Sequence, residues 1–542
     1  MKVAVLEPPF LEPGLPRPEP FHFAEIIRRH GHDAIVVDAN MLVYRGLVSE
    51  PAANLLCAFE PERVASTVRR ALALPDPYAA PHGMSSAVDR AVRAHDVDTL
   101  ARLMDGAVVR MSSGGLQGHA GYIRDVELTN AFLELAMARV DDGVVLSLHG
   151  IDGGPPPGDS REVLSWVGAD ANPLGEPFDR FVAPPVLAAA ADRVVVVISQ
   201  EAQLAGGLSL ANWARARGMA VTVTGDFLDR VRERYDPPTM PGVVGNLLSG
   251  SFEESAAVWL GSAPSMALPA ADAIPLVRPV GYFSPLPVVG AALTRRCYWA
   301  RCGFCQVASL PVSRSPNPSV GALATALDRL AAIDVHHLQF FDYAISPTLL
   351  SRIAEAGYRG IDWCGQVRFE PALEQDGLFE RVRAAGCVGL SWGFETASDR
   401  LLAASGKGGL SGPARTRMLR AAAEAGLHNH VFAIAGLPSE SDADFAATLQ
   451  WLEDALPWLS SGEAHAFQLQ WGTRFHLERS KLGLVAATCG DWELNIPYNG
   501  DPSPALARER AHTLNEVLRA IASLHGTNDW LEGHMVFAGP RA

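Results

Sequence analysis

From about residue 288 onward the sequence repeats one pattern six times: a short apolar run, a polar loop, then an apolar-periodic stretch of helical length. The runs fall at roughly 288 to 295, 336 to 342, 360 to 368, 387 to 393, 429 to 436 and 464 to 471. Helical stretches centre near Leu327, Ile353, Leu378, Leu419 and Leu449. Strands joined through helices return to the same edge, so the pattern predicts a parallel barrel or part of one, with reactive groups on the loops that follow the strands.

The first half predicts a different α/β unit. Residues 3–6, 23–28 and 34–38 read as strand, helix and strand, with Pro8-Pro9 opening a proline-containing loop. Helical patterns fill 60 to 180, broken by glycine-rich stretches at 112–115 and 153–158; the first lacks a dinucleotide fingerprint or a P-loop lysine and reads as a loop. Residues 143–147 predict a further strand. Alternation returns with strands at 193–199, 220–224 and 242–245 and a helix over 208–217. A doubly wound parallel sheet follows, and its ligand loops lie beyond the strand ends: Pro8, Ser199-Gln200, Gly225-Asp226 and Ser249-Gly250-Ser251. Six prolines in 262–290 predict an extended connection. The expected organisation is a Rossmann-like domain with insertions at 1–261, a linker at 262–287, a (β/α)6 core at 288–474 and a mostly helical region at 475–542.

Composition excludes several classes. With 542 residues, 48% hydrophobic and 19% charged, the chain is globular rather than disordered. No run of 18 apolar residues predicts a membrane span, and the amino terminus is too short in apolar residues for a secretory signal, so a cytoplasmic protein is expected. A net charge of −15, from 45 Lys+Arg against 60 Asp+Glu, argues against nucleic acid as partner. Seven cysteines are too few for a disulfide framework, and three of them fall within nine positions, which suits metal binding in a reducing compartment.

Those three are Cys297, Cys302 and Cys305, directly after the first barrel strand. Thiolates at this spacing wrap one face of an iron–sulfur cube and leave one iron open to a further ligand. Two alternatives stand beside this reading. A zinc site would need a fourth ligand, for which Cys364, Cys387 or His336 are candidates. A serine hydrolase is suggested by the Gly-x-Ser-x-Gly pattern at 389–393, with Asp442 and His465 as possible partners.

The cysteine segment resembles the cluster loop of radical S-adenosylmethionine (SAM) enzymes, in the spacing of members that carry an N-terminal cobalamin-binding-like domain. The resemblance extends to Phe304, similar to the residue beside the adenine, and to Gly393-Phe394-Glu395, similar to the Gly-Gly-Glu motif that holds the methionine amino group. Gly436-Leu437-Pro438-Ser439-Glu440 resembles the family's Gly-x-Pro-Gly-Glu turn. By this resemblance Phe304, Gln366, Gly393, Phe394, Glu395 and Gly436 bind SAM, and Asp342, Tyr343 and Arg368 are catalytic candidates at strand ends. Gln468 and Gln470 are further candidates for the cavity wall.

The first half resembles the cobalamin-binding-like domain of that subgroup, which implies cobalamin contacts from Pro8, Ser199, Gln200, Gly225, Asp226, Ser249, Gly250 and Ser251. Asp-x-His-x-x-Gly is absent, so cobalt would be held without a protein histidine. Gly225-Asp226 and Ser249–Glu253 depart from the family's Gly-Gly turn and Gly-Glu-Gly-Glu. The resemblance implies a cobalamin-dependent radical SAM C-methyltransferase for a peptide or small natural product, using a 4Fe-4S cluster, SAM, methylcobalamin and an external flavodoxin- or ferredoxin-type reductant. A rearrangement or oxidation without methyl transfer, or a non-catalytic binder of the same cofactors, are the alternatives.

Overall fold

The computed structural model describes residues 1–73, 86–113, 118–169, 172–234, 240, 242, 245–261, 274–284, 286–294, 297–309, 317–408 and 410–525. Residues 114–115 of the first glycine-rich stretch, 262–273 of the expected linker and everything past 525 lie outside these.

Five parallel strands form the first sheet: β1 (Lys2–Glu7), β2 (Asp33–Asp38), β3 (Arg193–Val197), β4 (Ala220–Thr224) and β5 (Asn246–Leu247), in the order β2-β1-β3-β4-β5. The central strands are buried on both faces, as their unbroken Val/Ala/Leu runs demand of a sheet with helices on each side. Side chains alternate between two cores. Val3, Val5, Val195 and Val197 pack with Phe23, Ile27 and Phe252 on one face. Ala4, Leu6, Val194, Val196 and Val223 join the larger cluster on the other.

The segment between β2 and β3 is a helical layer that covers this second face, including Val97–Ser113 and Gly118–Ala138. The strand expected at 143–147 is Val145–Ser147, and it pairs antiparallel with Gly150–Asp152 outside the main sheet. The strand expected at 242–245 lies later, at β5; residues 243–244 are outside the described residues.

The second sheet contains β6 (Val288–Ala291), β7 (His337–Phe340), β8 (Asp362–Arg368), β9 (Cys387–Glu395), β10 (His428–Ala435) and β11 (Ser461–Ala466), parallel and in sequence order. Leu338, Phe340, Trp363, Val367, Leu390, Trp392 and Val431 face the outer helices, whereas alternate positions such as Gln339, Gln366, Arg368, Ser391 and His430 lie on the opposite, inner face. An ordinary (β/α)8 barrel fills that interior with branched apolar residues. Here it is polar.

Among the described residues β6 and β11 do not pair, so the barrel is open, and each exposed edge has a cover. At β6 the proline-rich loop after β1 crosses over, with the Gly290 N–H donating to the Pro16 carbonyl at 3.2 Å. At β11 the helix Pro504–His525 packs alongside, and Asn515 both donates to the Ala464 carbonyl and accepts its N–H at 2.8 Å. Unpaired strand edges invite intermolecular pairing, and these covers prevent it.

The last strand runs over Ser461–Ala466 rather than 464 to 471; Leu469–Gln470 instead pairs antiparallel with Asn495–Ile496. Gln468 is exposed and Gln470 donates to Asn495 at 3.3 Å, so neither is a barrel strand-end residue. The region after 475 is less helical than expected before residue 504, containing short strands at Val485–Ala486, Asn495–Ile496 and Tyr498–Asn499. No helix among the described residues is long and apolar enough to cross a membrane.

Candidate active site between the two sheets

The cysteines lie on the loop that follows β6. Asp342, 0% exposed, fastens the start of this loop: it accepts the Leu293 N–H at 2.8 Å and the Thr294 N–H and hydroxyl at 2.5 Å each. Burial pushes its carboxyl up to about 6 despite those bonds. Asp342, a catalytic candidate by sequence, therefore positions the loop's backbone.

Further along, the Trp299 indole donates to the Gly406 carbonyl at 2.9 Å, the Gly303 N–H to Ser405 at 2.6 Å, and the Phe475 N–H to the Gly303 carbonyl at 2.9 Å. Position 303 must be glycine, because a Cβ there would press into the Phe475 ring and the Arg474 guanidinium. The Cys305 N–H donates to the Cys302 carbonyl at 3.2 Å, closing the x2 spacing into a turn. The loop is thus held between the segment after β9 and the short helix Arg474–Leu477.

All three thiols are half-buried and unpaired by disulfides. Burial pushes Cys302 up to about 11 and raises Cys305 as well; the nearby Lys407 ammonium pulls both down, and Cys305 feels the charge of Cys297. Only thiolates ligate metal, so loading this loop releases protons, and Lys407 lowers the cost.

β9 carries the next piece. Its register slips between Gly393 and Glu395, and Glu395 has φ +63°, so the carboxylate leaves the strand's alternation. Glu395 is 6% exposed and ion-paired with Lys407. Phe394, expected to touch SAM, points to the outer core and stacks on Trp451 with centroids 4.0 Å apart. Gly393 lies against the Lys407 ammonium.

Arg368 is 5% exposed, with its guanidinium 3.7 Å from the Trp299 ring centroid and one N–H donated to the Lys407 carbonyl at 3.1 Å. It braces the cysteine loop rather than lining the cavity described below. Phe304 packs edge-on to Phe475 at 6.5 Å. Gly436 packs against Ala507 of the closing helix, and Glu440 accepts both the Gly436 N–H and Arg510 at 2.9 Å, so this turn seats the helix.

Where the carboxyl edges of the two sheets meet lies a cavity of about 170 Å³. Thr294, Tyr343 and Gln366 line it from the barrel, and Arg17, Gln200 and Asp226 from the first half. Tyr343 is 46% exposed, and Arg17 sits 4.7 Å over the Phe341 ring. In open α/β sheets ligands bind beyond the strand ends at the topological switch, here between β1 and β3.

The first half's loops are organised by Gln203, which sequence alone did not single out. Its carbonyl oxygen accepts the Ser199 and Gln200 N–H groups at 2.9 and 3.2 Å, and its amide donates to Glu7 at 2.5 Å and to the Pro8 carbonyl at 3.2 Å. Gly225, φ +135°, lies so close to the Ile198 carbonyl that no side chain fits. Ser251 caps the helix Phe252–Leu260, the Ser249 carbonyl accepts from Ser255 at 3.1 Å, and the Gly250 N–H donates to Asp229 at 2.9 Å. Burial pushes Asp229 up to about 7.

With the backbones engaged internally, Ser199 Oγ, Thr224 Oγ1 and Asp229 Oδ1 are buried without a hydrogen-bond partner among the described residues. Buried polar atoms ordinarily have one, so these strand ends fit a polar ligand such as a nucleotide-bearing cofactor.

The alternatives lack geometry. Cys364 donates to Gln339 at 2.5 Å, Cys387 to the Gly389 carbonyl at 3.5 Å, and His336 pairs with Asp334 at 3.0 Å, all toward the amino ends of their strands and away from the cysteine loop. No three His, Cys, Asp or Glu among the described residues group around a single ion. Ser391 is buried within β9, Asp442 pairs with Arg510 and His465 with Glu463, so no serine triad assembles.

An open parallel barrel with three thiols after its first strand defines a class, and residues 292–452 match the family model described as the Radical SAM superfamily. The match covers four of the six barrel strands, β7 to β10, and the cysteine loop, and it is confined to the barrel. Similar solved structures include the radical S-adenosylmethionine methyltransferase TsrM from Kitasatospora setae with cobalamin and [4Fe-4S] cluster bound, at 14% identity and TM-score 0.42 over 55% of this chain and 67% of that one. The cobalamin-dependent S-adenosylmethionine radical enzyme OxsB, with aqua-cobalamin and S-adenosylmethionine bound, gives 14% identity and TM-score 0.48 over 60% and 59%. Escherichia coli coproporphyrinogen III oxidase (HemN) gives 16% identity and TM-score 0.29 over 43% and 52%. No curated protein matches the chain.

Proposed function

We propose that the protein is a cobalamin-dependent radical SAM C-methyltransferase acting on a peptide or small natural product. The observation that carries this reading is the cavity at the junction of the two carboxyl edges, lined by Thr294 at the start of the cysteine loop on one side and by Gln200 and Asp226 of the doubly wound sheet's strand-end loops on the other. When bound, the cluster and SAM would supply one-electron cleavage chemistry and cobalamin a methyl group.

The chain's own contribution is placement. Cys297, Cys302 and Cys305 would hold the cluster on a loop fixed by Asp342, Trp299 and Gly303. Glu395, now paired with Lys407, offers a buried carboxylate to a cationic amino group, and Lys407 a cation to a carboxylate. Ser199, Thr224 and Asp229 would receive the polar part of cobalamin. Tyr343, Gln366 and Arg17 would contact substrate, and the covering loop after β1 keeps water out.

Anaerobic reconstitution with iron, sulfide and hydroxocobalamin, followed by metal analysis, a SAM-cleavage assay and product mass, tests the proposal. Iron and cobalt together, with a product heavier by one methylene, support it. Iron without cobalt overturns the cobalamin part, and a product of unchanged mass replaces methylation by rearrangement.

A further inference from the structure

One cation of the first half reaches the cysteine loop. The helix Asp226–Arg234 turns Phe227, Leu228 and Val231 into the core of its own half. Residues four apart share a helix face, so Asp226, Arg230 and Arg234 form a stripe on another side. Asp226, at its start, lines the cavity between the sheets. Arg234, at its end, donates to Cys489 Sγ and to the Gly490 carbonyl at 2.8 Å each and lies 4.8 Å over the Trp471 ring. Both ends of the stripe therefore face the second half of the chain, and Arg230 stands between them. Burial pulls its guanidinium below the ordinary value, while Tyr343, Asp226, Cys305 and Glu233 draw it back up. Two of those four groups belong to the barrel, and one is a cluster cysteine.

Arg230 is half-buried and makes no hydrogen bond or ion pair among the described residues. The other cations whose charge reaches the thiols, Lys407 and Arg368, have carboxylate partners. Lys407 is ion-paired with Glu395, and Arg368 lies 3.9 Å from Glu370. Arg230 alone of the three has no carboxylate within ion-pairing distance among the described residues. The potential of an iron–sulfur cluster follows its net charge, its hydrogen bonds and its exposure. Reduction adds negative charge beside the thiols, and a cation not cancelled by a partner of its own favours that state.

We propose that Arg230 is the counter-charge of the loaded cysteine loop, through which the first half raises the reduction potential of the cluster. It acts through space and is not a ligand. The inference rests on the cluster reading above and is independent of cobalamin. The half that faces the cavity with Gln200 and Asp226 thus also sets how readily the barrel accepts an electron.

The test is an EPR-monitored redox titration of the anaerobically reconstituted full-length protein, without SAM, reduced stepwise with titanium(III) citrate. Arg230→Gln should lower the midpoint potential by about 59 mV, a tenfold change in the one-electron equilibrium. Arg230→Lys keeps the charge and should recover most of that shift. Arg420→Gln, on the outer helix Gly412–Glu424, removes a charge elsewhere and should leave the potential unmoved. A potential unchanged in Arg230→Gln, or shifted equally in Arg230→Lys, overturns the proposal, even where both variants melt at lower temperature as a packing role requires. If Arg230→Gln fails to retain iron, retention in Arg230→Lys supports the counter-charge, because charge is what separates the two; iron lost from both overturns it. Absence of iron–sulfur absorbance in wild type overturns the cluster reading itself, and the counter-charge with it.

Discussion

Replacing Asp342 by Ala separates two opposing effects that the structure lets us weigh. The substitution removes the acceptor of the Leu293 and Thr294 N–H groups and of the Thr294 hydroxyl. Each buried amide left unpaired costs about 1–3 kcal/mol, so two cost about 2–6 kcal/mol before any relaxation. Against this, the wild-type carboxyl carries a burial penalty that raises it from its ordinary value to about 6. The folded state then binds more protons than the unfolded state between those two values, so this group's contribution to stability falls as pH rises through that window. Since pH 5 lies about one unit below 6, the contribution lost between pH 5 and pH 8 is about 1.4 kcal/mol. Urea unfolding at both pH values should therefore show Asp342→Ala destabilised by more at pH 5 than at pH 8, with the difference near that figure. Iron retained after reconstitution should fall in parallel, since the loop start is no longer fixed. A variant that keeps wild-type stability at pH 5 and full iron would refute the view of Asp342 as the fastener of the cysteine loop.

Other substitutions probe the remaining anchors. Lys407→Met leaves Glu395 buried without its cation and should cost about 3–5 kcal/mol in chemical denaturation; a loss below about 1 kcal/mol would show that the carboxylate is relieved by solvent. Gly225→Ala drives a methyl into the Ile198 carbonyl at positive φ, and should lower the melting temperature and weaken hydroxocobalamin retention, read by absorbance after gel filtration. Asp229, lifted to about 7 by burial, should make the wild type lose stability from about pH 4 to pH 7; Asp229→Asn keeps an acceptor for Gly250 and should flatten that slope, and an unchanged slope would count against it.

The barrel strands and their helices were legible because each announces itself locally, through runs such as 387–393 and apolar periodicity around Leu419. The cysteine loop was legible for the same reason: ligand spacing is a property of adjacent residues. What escaped were roles assigned by distant neighbours. Asp342 reads as a strand-end acid until its partners are seen to be loop amides nearly fifty positions earlier. Gln203 has no motif, yet ties together four groups from two strand ends. Lys407 carried only the hint of lysine's rarity in an arginine-rich chain.

The sequence by itself determined the alternation, the two parallel units and the three thiols, because periodicity and spacing act over a few residues. Tertiary structure alone decided that the proline-rich loop and the helix Pro504–His525 cover the barrel's edges, that Phe394 turns outward while Glu395 meets Lys407, and that the two carboxyl edges enclose one cavity. Those outcomes depend on which surfaces far apart in the chain bury each other, and a hydrogen-bond donor or a charge has no fixed role until that burial chooses its partner.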